Sequence, residues 1–359
     1  MIAPSASCSE VAPPAAPAGV GPASASDHAL CREALPRVSR TFALSIEALP
    51  PELREAVRVA YLLCRLVDTI EDGDGLGLPE RLRLFAEFER LLAGERLDPN
   101  TLELACREAM TAVDPHERAL CLNAGAVFRV FQGLPLAQQR AIRPWVAEMA
   151  RGMREHVLRA GPGGKLALRS LAELERYCYF VAGTVGRLLT ELFCQAVPPA
   201  SSAVRVRLDE LGVSFGIGLQ LVNIVKDVAD DWERGACFVP TELAAEAGIA
   251  LDQLLDPRHR DGAMLVIDAL GARARSHLER AKHYTELWPL PTGLPMRLFC
   301  TVPLCLAFAT LRELGRSDQT LRRGAGPKLS RDAVLDILGR ASRAVESDHA
   351  LAQLWLSCG

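Results

Sequence analysis

Two stretches decide the reading of this chain: YLLCRLVDTIED, residues 61–72, and QLVNIVKDVADD, residues 220–231. In each, three acids follow a polar lead residue at the same spacing. Asp68, Glu71 and Asp72 follow Tyr61 at offsets of seven, ten and eleven, and Asp227, Asp230 and Asp231 follow Gln220 at the same offsets. On a helix of 3.6 residues per turn, offsets of four, seven and eleven fall within an arc of about 60°. Each segment, as a helix, turns two aspartates and their polar leaders to one side. Two such faces opposed would form a cage of carboxylates, a donor set that suits Mg²⁺ and a polyphosphate.

The flanks sharpen this. Leu62, Leu63, Leu66 and Val67 surround the first stripe, and Leu219, Leu221, Val222, Ile224 and Val225 surround the second. A helix that is apolar on all sides but one acidic stripe is buried, and buried carboxylates stay ionised only beside cations. The cations at hand are Arg65, Lys226 or a metal. A structural ion-pair network is the alternative reading, and the matched spacing of two stripes speaks against it. The chemistry that needs this layout is departure of a diphosphate from an allylic carbon. Bound Mg²⁺ takes up the developing negative charge, Arg and Lys bind phosphate oxygens, and an apolar pocket keeps water from the carbocation.

The remainder of the chain is consistent with a helical globular protein. Of 359 residues, 49% are apolar and 24% charged, with only 5% aromatic; Ala, Leu, Arg and Glu favour helix over strand. A net charge of −3 without a basic stripe excludes a nucleic-acid partner. The 11 cysteines show no CxxC spacing and several lie in apolar runs (Cys64, Cys178, Cys194, Cys300, Cys305), which points to buried reduced thiols. No GxGxxG fingerprint is present.

Residues 1–26, rich in Ala, Pro and Ser, read as a disordered tail, and residues 27–359 as one all-α domain of many helices around a central cavity. Helices are expected over 27–35 with Asp27 as N-cap, from Pro51 to about Glu71, and over 79–94, 101–111, 115–132 and 135–160. Further helices are expected over 171–195, 201–232, 241–246, 251–254, 261–287, 293–315 and 330–355. Gly73–Gly75, Gly161–Gly164 and Gly324–Pro327 read as loops. The apolar run 299–311 is short for a bilayer and contains Pro303, so no transmembrane anchor is expected.

Five segments, in order, resemble the squalene/phytoene synthases: SRTF (39–42), YLLCRLVDTIED (61–72), YCYFVAGTVG (177–186), QLVNIVKDVADDWERGACFVP (220–240) and FCTVPLCLAFATL (299–311). The resemblance spans about residues 30–345 and implies the all-α isoprenoid synthase fold and head-to-head prenyl transfer. It implies that Asp68, Glu71 and Asp72 form a first Mg²⁺ motif and Asp227 and Asp231 a second. Arg40, Arg65 and Lys226 would meet diphosphate or cofactor phosphate; Lys226 stands where many relatives carry Arg. Tyr177 would be the catalytic tyrosine. Ser39, Tyr61, Gln220 and Asn223 would orient diphosphate and metal, and Phe299 would line the pocket. Gly183 and Gly186 are read as sites of close approach by a prenyl chain or a neighbouring helix.

Within the family, DTIED, SRTFALSIEALP and FCTVPLCLAFATL resemble the squalene branch, whereas YCYFVAGTVG is shared with phytoene enzymes. The expectation is condensation of two farnesyl diphosphates, followed by reduction with NADPH. Lys328 and Arg331 are candidates for its 2′-phosphate. The alternatives are a phytoene synthase acting on geranylgeranyl diphosphate without reductant and, against the two intact acidic motifs, a non-catalytic relative on the same fold. A monomeric, cytoplasmic protein, peripheral at the inner membrane surface, is expected.

Overall fold

The computed structural model of the chain describes residues 22–73, 76–95, 100–110, 113–160, 168–315, 317–326 and 328–358, with the backbone alone for Arg40, Asn100, Thr101 and Ala109. Among these residues the regular structure is helical. In chain order it comprises α1 (Ala25–Val38), α2 (Arg40–Glu47), α3 (Pro51–Asp72), α4 (Leu78–Ala93), α5 (Asn100–Ala109) and α6 (Pro115–Cys121). There follow α7 (Ala124–Gly133), α8 (Leu136–Ala160), α9 (Leu171–Cys178), α10 (Thr184–Ala196), α11 (Ser202–Lys226) and α12 (Val228–Glu233). The chain closes with α13 (Thr241–Glu246), α14 (Arg260–Glu286), α15 (Leu294–Leu314), α16 (Arg331–Ala344) and α17 (Asp348–Cys358). The loop signals at 74–75, at 161–164 and at Pro327 lie outside the described residues.

Most expected helices appear, and the departures have local causes. The first helix begins two residues before the expected boundary, because Ser24 rather than Asp27 is its N-cap; Asp27 is the third residue of the resulting capping box. The expected helix over 115–132 is two helices, parted where the Asn123 side chain donates to the Ala119 carbonyl at 2.8 Å. The one over 330–355 is also two, since the Ser347 hydroxyl accepts from the Ala350 amide at 3.1 Å and starts α17. The long apolar stretch over 171–195 contains a π turn, Tyr179–Gly183, between α9 and α10. The second acidic stripe is not on one helix: α11 ends at Lys226, and Asp227 (φ −106°, ψ 15°) joins it to α12.

One continuous apolar core runs from Cys31 in α1 to Cys358 in α17. At its centre α11 packs against α10 and α14. Glycines permit the first of these crossings. A Cβ on Gly186 would lie 1.9 Å from the Gly212 carbonyl oxygen, and one on Gly216 would lie 2.1 Å from that of Ala182. Gly186 therefore admits a neighbouring helix, as expected. Gly186→Ala is expected to destabilise the fold by about 3 kcal/mol, the upper end for overpacking, because backbone cannot yield as a side chain does. An unchanged denaturant midpoint would contradict this crossing.

Two helices, α11 and α15, are long and apolar enough to cross a membrane, but 67% of the apolar stretch of each is buried inside the fold. The described cysteines are free thiols, nearly all of them buried.

Candidate active site

The first acidic stripe descends α3 toward its C-terminal end, and α11 presents Gln220 and Asn223 to the same cavity. Between them is a cavity of about 200 Å³ lined by Tyr61, Arg65, Asp68, Gln220, Asn223 and Phe299, six of the residues singled out from the sequence. Its other walls are apolar, including Phe42, Ile46, Met149, Val185, Leu189 and Phe215. Phe299 is fully buried and meets Phe193 edge to face at 5.3 Å.

Ser39 and Tyr61 brace one end. Ser39 caps α2 through the Phe42 amide at 3.4 Å, while the Tyr61 ring stands 5.6 Å from that of Phe42. Burial holds the Tyr61 phenol in its neutral form. Arg40 begins α2 next to Ser39, but its side chain lies outside the described residues.

Arg65 is gripped on two sides, by Asp68 on its own helix and by Glu117 of α6. Burial opposes its charge, but these two carboxylates outweigh burial and keep the guanidinium protonated. Its Nε is buried without a partner. On the other motif, the Lys226 ammonium lies 2.6 Å from both carboxylate oxygens of Asp227. Arg234 donates to Asp231, one turn before it on α12.

The two motifs act on each other electrostatically. Asp72, the last residue of α3, is partly open to solvent yet crowded by protein. Desolvation, together with the charges of Asp68 and Asp231, pushes its carboxyl up to about 7, against the pull of Arg234 and Arg65. Asp231 is raised too, chiefly by burial. Asp230, the remaining acid of the second stripe, accepts from the Gly324 amide at 2.7 Å. In the same loop the Thr320 hydroxyl donates to the Val225 and Lys226 carbonyls. The loop leading to Lys328 is thus anchored on the second motif, although Lys328 itself is exposed.

Glu71 differs from its neighbours. It is buried, its Oε1 has no partner, and its Oε2 accepts from the Tyr177 hydroxyl at 3.5 Å. Burial and the charges of Asp72 and Asp68 push its pKa well above the usual carboxylate range. The Tyr177 phenol is likewise raised, first by burial and then by Glu71. The Tyr177 ring stacks on Phe238 at 4.8 Å and meets the His156 ring at a tilt at 4.5 Å. Burial, then Arg159, holds His156 at about 4 and so neutral. Tyr177 is absent from the cavity wall and stands on its acidic side.

As Asp68 lines the cavity whereas Glu71 is buried behind it against Tyr177, Glu71→Gln is expected to lower turnover less than Asp68→Asn does. Steady-state rates of the two variants side by side check this, and a larger loss for Glu71→Gln would assign Glu71 an ionised role.

Among the described residues, no three Asp, Glu, His or Cys side chains converge closely enough to hold a metal ion alone. The donors are nonetheless all carboxylate oxygens, short of positive charge at Glu71 and Asp72. Mg²⁺ commonly binds through one or two carboxylates and completes its shell with water and substrate phosphates. The donor set fits such an ion arriving with a diphosphate.

The squalene/phytoene synthase family profile matches residues 35–333. The chain belongs to the squalene/phytoene synthase family. It is 28% identical to the squalene synthase of Eremothecium gossypii over 292 residues, covering 81% of this chain and 63% of that protein. To the squalene synthase of Schizosaccharomyces pombe it is 27% identical over 287 residues, covering 80% and 59%. The chain thus spans about three fifths of the length of these relatives. A ligand complex of TcSQS superposes with a TM-score of 0.76 at 25% identity, covering 93% of this chain and 91% of that one. The fold is the isoprenoid synthase fold.

Against this family background, three parts of the site escaped the sequence reading. Glu117 lies 52 residues from its partner Arg65 and carries no local signal. Arg234 follows Asp231 by three residues, a helical pairing distance that could have flagged it. Phe238 and His156 meet Tyr177 only through the tertiary fold.

Proposed function

We propose that this family member joins two farnesyl diphosphates head to head and reduces the product to squalene with NADPH. The observation that carries the reading is the meeting of two acidic motifs at one end of an apolar cavity, in a chain similar to squalene synthases. In this reading Asp68, Glu71, Asp72, Asp227 and Asp231 hold Mg²⁺, which neutralises the diphosphate as it departs. Arg65 and Lys226 take phosphate oxygens, with Arg40 beside them. Lys226 does so as a point charge rather than a bidentate fork.

The apolar wall excludes water from the allylic cation, so that C1 of one substrate is captured by the 2,3-double bond of the other. Proton loss then closes a cyclopropyl diphosphate, and a second ionisation ends in hydride capture. Tyr177 retains its proton at neutral pH and so serves as a hydrogen-bond or proton donor to the leaving oxygen, with Glu71 as its partner. NADPH is treated as a second substrate, with Lys328 proposed for its 2′-phosphate because the preceding loop is anchored on the second motif. We further propose that the protein works at the cytoplasmic membrane surface, where its hydrocarbon product partitions.

The test is the purified protein with Mg²⁺ and a C15 or C20 diphosphate, with and without NADPH, read by product mass. A C30 hydrocarbon that requires NADPH is expected. A C40 hydrocarbon formed without reductant would replace this reading with phytoene synthesis.

A further inference from the structure

A second cluster of reactive groups lies away from this site, where α17 packs on α15 and α16. Cys305 of α15 and Cys358 of α17 bring their sulfurs to 3.6 Å, both buried, as a hydrogen-bonded thiol pair. Cations flank the pair. The Arg340 guanidinium of α16 bonds the hydroxyl of Ser357, next to Cys358, and the buried Lys282 of α14 lies over the Phe308 and Trp355 rings. Glu279 and Asp336 pair with these cations on their outer sides.

The buried thiols Cys31, Cys64, Cys178, Cys194 and Cys300 are all pushed up by desolvation. Cys358 and Cys305 share one proton along their bond, which, with the charge of Arg340, pulls the Cys358 thiol down and pushes the Cys305 thiol up. Thiolate character and a neighbouring resolving thiol are what a peroxide-reactive cysteine needs. Access is restricted in a telling way. The cavity at the pair, lined by both cysteines, Arg312, Arg340 and Leu354, holds about 30 Å³. A cavity of this size admits a molecule of one or two heavy atoms, such as a peroxide, and is far too small for a peptide disulfide.

We infer that Cys305 and Cys358 form a modification site at which a small hydroperoxide is reduced and a disulfide is made. The Cys358 thiolate attacks one peroxide oxygen, the O–O bond breaks, and hydroxide leaves with a proton from solvent as water. The resulting Cys358 sulfenic acid is attacked by the Cys305 sulfur. Its hydroxyl departs as water with the Cys305 proton, closing the S–S bond. Two thiols are oxidised by two electrons and one peroxide is reduced to two waters. The bond ties α17 to α15, the helix that also presents Phe299 to the active-site cavity.

The test is peptide mapping of the intact protein after hydrogen peroxide, with free thiols alkylated before digestion. The expected result is a cross-linked Cys305–Cys358 peptide, lighter by two hydrogen atoms and restored by dithiothreitol, with an upward shift of the thermal midpoint. The same excess of glutathione disulfide is expected to leave both residues alkylated. In Cys305→Ala, dimedone added as the peroxide-treated protein is denatured should label Cys358. Full alkylation of both cysteines after peroxide overturns the inference, and so does a cross-link confined to the other adjacent pair, Cys106 and Cys121. The wild-type mapping decides the matter even if the variant fails to fold.

Discussion

Asp72→Asn is expected to lower turnover by about 10³-fold, the scale of losing one charge-stabilising group at a reacting centre, without weakening the metal-free fold. Asp72 sits where the charges of both motifs add, and its carboxyl is raised to about 7 from the usual 3.8. Between those values the folded chain holds a proton that the unfolded chain has released. Stability therefore falls as pH rises from about 4 to about 7, and the penalty persists above that. Asp231 and Glu71 are raised in the same direction and add to the slope.

Asparagine removes the share of Asp72, so the thermal midpoint of the metal-free variant should depend less on pH and should be no lower than wild type at pH 8. Mg²⁺ with a non-hydrolysable farnesyl diphosphate analogue should flatten the wild-type profile in the same way. Steady-state kinetics and thermal scans across pH check both halves. A variant that turns over at near the wild-type rate would remove Asp72 from the proposed metal site.

Tyr177→Phe is expected to lower kcat by about 10²–10⁴-fold, the range for loss of a positioned proton donor, while leaving binding of the same analogue within a few fold. Phenylalanine keeps the ring stacked on Phe238 and in contact with His156 and removes only the hydroxyl at Glu71, so the helical fold should be unchanged. Because burial and the neighbouring carboxylates suppress ionisation of the phenol, the wild-type enzyme should show no rate limb from a tyrosinate in the neutral range. Unchanged kinetics in the variant would end the catalytic reading of Tyr177.

How much of this was legible in the sequence depends on whether the cause was local. The apolar flanks of Asp68 and Gln220 reveal buried helices because hydrophobic period and burial are directly coupled, and the two acidic stretches bring five of the named residues to one cavity. The break at Asp227 is invisible to the same reasoning. Leu221, Val222, Ile224, Val225 and Val228 continue the helical pattern across it, and only the backbone records the turn. Asp27 reads as the cap because Ser24 falls in the Ala/Pro/Ser-rich stretch, whereas the capping box places Ser24 at the cap and Asp27 at its third residue. The grip of Glu117 on Arg65 and the stacking of Phe238 on Tyr177 depend on packing between distant helices. No periodicity encodes such contacts.

The π turn at Tyr179–Gly183 has a consequence for phase. In an unbroken α-helix, the nine residues from Tyr177 to Gly186 would rotate by about 900°, placing them on opposite faces. A π turn accommodates one extra residue and takes up about 100° of that rotation. Tyr177 can then address the carboxylates while Val185, Gly186 and Leu189 address the cavity and α11, within about a quarter turn of each other. Deleting a single residue from this segment would thus rotate one half of the helix against the other like a mis-set gear. The tyrosine and the greasy wall would no longer serve the same substrate, with every side chain still present.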